Sequence, residues 1–153
     1  MIVSNLDAFL TMIAISEGTE FIGDHGYNCI VGSSPAHPHL FASYADHPRI
    51  AVRLSPTLTS TAAGRYQILE RFYDAYKASL HLPDFSPASQ DAIATQMIRE
   101  RHALEDVTAG RLESAVAKCT SIWASLPGNS YGQHQNTLAS LQSAYTQSGG
   151  AVA

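Results

Sequence analysis

Apolar residues recur at helical spacing at the start of the chain, where Leu6, Leu10 and Ile13 predict a helix over Leu6–Gly18. Ser4 is placed to cap it, with Asp7 three residues on, and Gly18 suits a left-handed residue just past its end. From Phe21 to Leu58 the texture changes to short apolar runs punctuated by Gly and Pro. Tyr27–Val31, Leu40–Tyr44 and Ala51–Leu54 read as strands, and Ser33–His39 as a mobile surface loop. A polar turn, Thr59–Gly64, leads into a helix expected over Arg65–Leu80 with Ile68, Leu69, Phe72, Tyr73, Tyr76 and Leu80 on its apolar face.

Ser86-Pro87 is a cap followed by proline at the first helical position, opening a helix through about Arg101 that buries Ile93, Met97 and Ile98. A further helix is expected over Leu112–Trp123, burying Leu112, Val116, Cys119 and Trp123. After the Pro127-Gly128 break, a last one over His134–Tyr145 carries Leu138, Leu141 and Tyr145, and Gly149-Gly150 begins a frayed tail. The order is helix, small β lobe, then four helices. It predicts an α+β fold in one domain, 1–153, with a β-rich lobe at about 21–58 and a helical body from 1–18 and 59–146. A groove bordering the lobe is the expected ligand site.

Composition narrows the classes of function. A net charge of −4 with 14% charged residues gives no electrostatic case for nucleic acid or an anionic membrane as partner. No apolar stretch approaches membrane-spanning length. No Lys or Arg precedes Leu6 and Asp7 interrupts the apolar run, so a signal peptide is not expected. Cys29 and Cys119 read as buried free thiols.

Candidate chemistry begins with Glu17, which continues the Leu6–Leu10–Ile13 row at the end of its helix. A carboxyl on a buried stripe has its charged form disfavoured, as a catalytic acid requires. The alternative is a solvated glutamate in a last helical turn. A second carboxylate would complete a glycosidase pair, and Asp24, Glu20 and Asp46 are available, each more readily read as a turn former or surface charge. Tyr66 and Gln67 in Ala63–Gln67 suit sugar binding by stacking and amide hydrogen bonds, unless Tyr66 lies in the core. Tyr131 and Gln133 in the loop Ser125–Gln133 offer the same groups. The pair His37 and His39, with His25 and His47, lacks metal-ligand spacing and reads as loop, so no metal is expected. Cys29 lies in an apolar strand pattern, which disfavours a reactive thiolate.

Together these segments resemble the lambda-type phage endolysins. The blocks that carry the resemblance run nearly end to end. They include Ala8-Phe9-Leu10, Ser16-Glu17-Gly18-Thr19, His25-Gly26-Tyr27, Ile30-Val31-Gly32 and Asp46-His47-Pro48-Arg49. Further blocks are Ala63-Gly64-Arg65-Tyr66-Gln67, Asp84-Phe85-Ser86-Pro87, Ser89-Gln90-Asp91-Ala92, Ile122–Gly128 and Tyr131-Gly132-Gln133. Two departures are local: a shorter spacer from Glu20 to His25, and an apparent insertion at Ser33–His39.

The resemblance implies a lysozyme-like fold and cleavage of the MurNAc-β-1,4-GlcNAc bond of peptidoglycan by lytic transglycosylation. Glu17 would act first as acid and then as base, without a second carboxylate or any cofactor. A hydrolytic muramidase using Asp24, Glu20 or Asp46 is the alternative, and a non-catalytic glycan-binding module a third. Tyr66, Gln67, Tyr131 and Gln133 are expected along the glycan, with Ser60 and Thr61 beside Glu17. The expected protein is a monomer, made in a host cytoplasm and acting on the periplasmic wall after release, without stable membrane association.

Overall fold

Eight elements make up the computed structural model, which describes residues 2–128 and 134–153. They are α1 (Asn5–Glu17), β1 (Val52–Ser55), β2 (Leu58–Ser60), α2 (Glu70–Leu80), α3 (Pro87–Glu100), α4 (Leu104–Ala109), α5 (Leu112–Cys119) and α6 (Leu138–Gln147). The chain packs as two units. One comprises Met1–Glu17 with Ala94–Ala153, and the other Gly18–Ile93. No described helix is long and apolar enough to cross a membrane.

In the first unit α1 is the central helix. Ala8, Phe9, Leu10, Met12, Ile13 and Ala14 are all buried, so apolar contact surrounds most of its circumference. It packs on α6 and α4. Ser4 Oγ accepts from the Asp7 N–H at 3.0 Å and donates to the Asp7 carboxylate at 2.8 Å, so the expected cap is formed. Gly18, at φ +81°, ends the helix as expected.

Helix α4 has no counterpart in the sequence reading, because its six residues carry too few apolar side chains for a periodic signal. A buried carboxylate secures it instead. Asp106 accepts from Lys118 Nζ at 2.5 Å, Arg111 Nε at 2.7 Å and Ser114 Oγ at 3.0 Å, which holds its pKa down to about 2. The tail is docked, not frayed. Gly150 lies against the Tyr145 ring where a Cβ would come within 2.4 Å, Ala151 N donates to Asn5 Oδ1 at 3.0 Å, and Ala153 N donates to Gly110 O at 2.8 Å. Trp123, Leu126, Leu141 and Tyr145 complete this core.

The second unit has less regular structure than expected. Tyr27–Val31 and Leu40–Tyr44 are not strands: their backbones pair through the isolated bridge Cys29↔Leu40. Left-handed residues at Gly26 and Gly32 bracket the first run and prevent extension. The third expected strand is real. β1 pairs antiparallel with β2 in the register Val52↔Ser60 and Arg53↔Thr59, which places β2 where a turn was expected to begin.

The helix expected from Arg65 starts only at Glu70. Gly64 at φ +80° and Gln67 at φ +53° fold residues 63–68 into a tight loop closed by reciprocal Ala63–Ile68 backbone bonds of 3.1 and 2.8 Å. Ile68 is therefore buried outside the helix, while Phe72 on α2 is 41% exposed.

Polar side chains do much of the joining here. Gln90, fully buried on α3, donates from Nε2 to Tyr27 O at 3.0 Å and Phe85 O at 2.9 Å, and accepts from Arg65 N at 3.0 Å. His47, also buried, bonds Ile68 O through Nε2 at 2.9 Å and accepts from Arg49 N at Nδ1, 3.0 Å. That pattern requires the neutral ring, and burial lowers its pKa. Its ring packs against Tyr73 and Phe85.

Gly64 sets the sharpest test of this packing. A Cβ there would lie 2.3 Å from Gln90 Oε1 at a backbone angle that L residues avoid. Gly64→Ala should destabilise the fold by about 2–4 kcal/mol, combining positive-φ strain with overpacking. Gly18→Ala, which meets nothing within 4 Å, should cost about 1 kcal/mol from backbone strain alone. Urea midpoints of the two variants measure the difference.

Candidate active site

The row of α1 that predicted Glu17 delivers it as the helix's final residue. Leu10 and Ile13 are buried and Glu17 is half-buried, one turn further along the same face. Among the described residues no hydrogen bond or ion pair reaches its carboxyl. Burial without a partner pushes its pKa up to about 7. The C-terminal end of a helix dipole also disfavours negative charge. The ion pairs of this unit among the described residues join Asp106 and Glu105 to Arg111 and Asp106 to Lys118, and none of them involves α1. Glu17 is thus a carboxyl that holds or releases a proton near neutral pH.

Ser16, the residue before it, is bonded to Ser125 and Asn136. Neither partner stands out in the sequence. Ser125 belongs to the polar loop already noted, but Asn136 lies beyond it, and a bond across 120 positions leaves no local pattern.

In the second unit each candidate second carboxylate is already engaged. Glu20 forms a salt bridge with the buried Arg65 and lies 3.4 Å from His25 Nδ1. Asp24 accepts the Tyr44 hydroxyl at 2.7 Å. Asp46 accepts two bonds from Arg49, 2.8 and 3.2 Å, which lower its pKa, and the same guanidinium reaches Glu70 at 3.0 Å and Asp74 at 2.6 Å.

Of the residues expected on the glycan, Ser60, Thr61 and Gln67 are half-buried polar groups of this unit. Thr61 Oγ1 accepts the Glu70 N–H at 3.1 Å, so it also caps α2 from a distance. Ser60 Oγ accepts from Ala62 N at 3.1 Å, and the Gln67 amide donates to Gly64 O at 2.9 Å. Tyr66 is in the interior, 2% exposed, with its ring edge-on to Tyr27 and its hydroxyl donating to Asp91 Oδ1 at 2.6 Å. That is the core placement the sequence left open. Tyr131 and Gln133 lie outside the described residues.

The thiols are buried and free, Cys119 with its pKa pushed up to about 12 and Cys29 with its own raised by burial, so both stay protonated. His37 and His39 are exposed on the loop Ser33–His39, whose ends Ser33 Oγ pins through His39 N at 2.6 Å and His39 O at 2.9 Å. No group of three or more His, Cys, Asp or Glu able to hold a metal occurs among the described residues.

A sequence model of the endolysin family matches residues 7–152. The endolysin of Escherichia phage lambda is 49% identical over 149 residues, covering 95% of this chain and 91% of that protein. The endolysin of Escherichia phage P2 is 45% identical, covering 97% of this chain and 95% of that protein. The structure of bacteriophage lambda lysozyme complexed with a chitohexasaccharide superposes with a TM-score of 0.93 at 47% identity, over 100% of this chain and 99% of that one. A second lambda lysozyme structure gives 0.88 at 46% identity over the same shares of the two chains. On a match that runs nearly the length of the chain, the fold is lysozyme-like and the chain belongs to the endolysin family.

Proposed function

We propose that this protein degrades peptidoglycan by lytic transglycosylation at the MurNAc-β-1,4-GlcNAc bond, with Glu17 as both acid and base, to lyse a host cell. The observation that carries the reading is the half-buried Glu17 carboxyl, unpartnered among the described residues, with its pKa pushed up to about 7. The structure of bacteriophage lambda lysozyme, of the same fold, is of a complex with a chitohexasaccharide, which supports a glycan as ligand.

In the proposed reaction protonated Glu17 gives its proton to the glycosidic oxygen as the bond from that oxygen to C1 of the muramic acid breaks. The carboxylate left behind takes the proton of the C6 hydroxyl, whose oxygen bonds to C1 and closes the 1,6-anhydro ring. Glu17 ends protonated, ready for another turn, and no water is consumed. An internal hydroxyl needs no activated water and acts at high effective molarity. A single carboxyl therefore suffices, in keeping with the engagement of Glu20, Asp24 and Asp46 by Arg65, Tyr44 and Arg49.

Ser60, Thr61 and Gln67 are proposed as glycan contacts, with Tyr66 supporting their segment from the interior. Tyr131 and Gln133 join them on sequence grounds. We place the activity at the cell wall after release from the host cytoplasm, with the protein acting as a monomer and without a cofactor.

A hydrolytic muramidase differs in its product. Mass spectrometry of digested peptidoglycan should show 1,6-anhydro-muramic acid ends; reducing ends in their place would establish hydrolysis.

Glu17→Gln should lower activity by about 10²–10⁴-fold, the usual worth of general acid–base catalysis. The same variant should gain stability. The folded pKa is raised, so the wild-type carboxyl adds no strain below its unfolded value of 4.5 and weakens the fold as pH rises through about 7. Above that pH Glu17→Gln should be more stable by about 1–3 kcal/mol, allowing for partial solvent screening. Thermal melts at pH 4 and pH 8 read this as a difference that appears only at the higher pH. Wild-type kcat/KM should in turn fall on the alkaline side of about pH 7, as the acid form is lost.

A further inference from the structure

We propose that Asn136 is a positioning residue for Glu17, acting through Ser16 as a clamp on the last turn of α1. The Asn136 side-chain amide donates to Ser16 O at 3.2 Å, lies 3.0 Å from Ser16 Oγ and reaches Ser125 O at 3.4 Å. Its backbone N–H donates to Ser125 O at 2.7 Å, and the hydroxyls of Ser16 and Ser125 are 2.7 Å apart. Ser125 and Asn136, 109 and 120 positions away, both meet Ser16, the residue that precedes the catalytic glutamate.

Each side of the clamp is anchored. Ser125 sits between the buried side chains of Trp123 and Leu126. Asn136 immediately precedes Thr137, whose hydroxyl caps α6 by accepting Ser140 N at 3.1 Å. The donors are therefore held in place before any substrate arrives, as a site that must keep its geometry requires.

Two physical effects reach Glu17 from here. The Ser16 carbonyl is one of the last four of α1, which no intrahelical N–H can satisfy. Asn136 satisfies it and so fixes the backbone from which the Glu17 side chain projects. The amide N–H also offsets part of the negative end of the helix dipole beside the carboxyl. Without it the turn is freer and the charged form of Glu17 is less favoured.

The inference rests on the acid role of Glu17 and is separable from it. In the full-length protein, Asn136→Ala should lower kcat about 10- to 100-fold on peptidoglycan, the scale of a displaced catalytic group, with KM nearly unchanged. The alkaline limb of its pH–rate profile should move upward. Asn136→Asp loses the same donors and adds a negative charge, so its limb should move further in the same direction. If Asn136→Ala does not fold, Asn136→Ser, whose hydroxyl is too short to replace the amide, is read in the same way.

A folded variant with wild-type kcat and an unmoved limb would overturn the clamp. So would a loss confined to KM, which would mean that Asn136 serves substrate binding alone. Glu17→Gln run alongside keeps the two readings apart. If that variant is inert while Asn136→Ala behaves as wild type, only the clamp fails, and an active Glu17→Gln removes the acid role itself.

Discussion

A carboxyl withdrawn from water, with no cationic partner among the described residues, is the constraint on which this structure turns. Desolvation disfavours its charge, and nothing bonded to Glu17 among the described residues compensates. The fold sustains that arrangement through α1, a helix buried around most of its circumference and ended by a left-handed glycine. The apolar contacts of Phe9, Met12 and Ile13 hold the helix, and the helix holds the carboxyl. In the proposed reaction, stability and chemistry therefore pull in opposite directions at one residue, a pattern common at catalytic sites.

Away from Glu17, charge is treated in the opposite way. Asp106, Asp46 and Glu20 each meet a cationic side chain, and Asp24 a phenol. Buried polar groups serve as joints: Gln90 ties Tyr27, Phe85 and Arg65 together, and His47 ties Ile68 to Arg49. In a unit whose only sheet among the described residues has two strands, such side chains satisfy backbone groups that a larger sheet would have paired. An unmade bond at one of these sites would leave a buried polar atom exposed to its full desolvation cost.

Legibility in the sequence followed the range of the signal. The cap at Ser4, the stop at Gly18, the Ser86-Pro87 start of α3 and the burial of Leu112, Val116, Cys119 and Trp123 come from patterns a few residues long, and the structure contains them. The strand-like runs at Tyr27–Val31 and Leu40–Tyr44 carry the right residues but lack partners in register, leaving a single bridge. Arg65–Leu69 continues the helical pattern of α2, yet left-handed Gly64 and Gln67 turn it into a loop. Tyr66 looked equally suited to a sugar or a core, and its bond to Asp91, 25 positions away, decided for the core.

By itself, the sequence determined the helix that ends in Glu17, the side of that helix on which the carboxyl emerges, and the family to which the chain belongs. These rest on local periodicity and on residue blocks that keep their order along the chain. Only the tertiary structure decided that Glu17 has no partner among the described residues, that Glu20, Asp24 and Asp46 are engaged, and that Asn136 meets Ser16. Burial and pairing are made by atoms that approach from distant segments, and no spacing within one segment encodes which of them arrive.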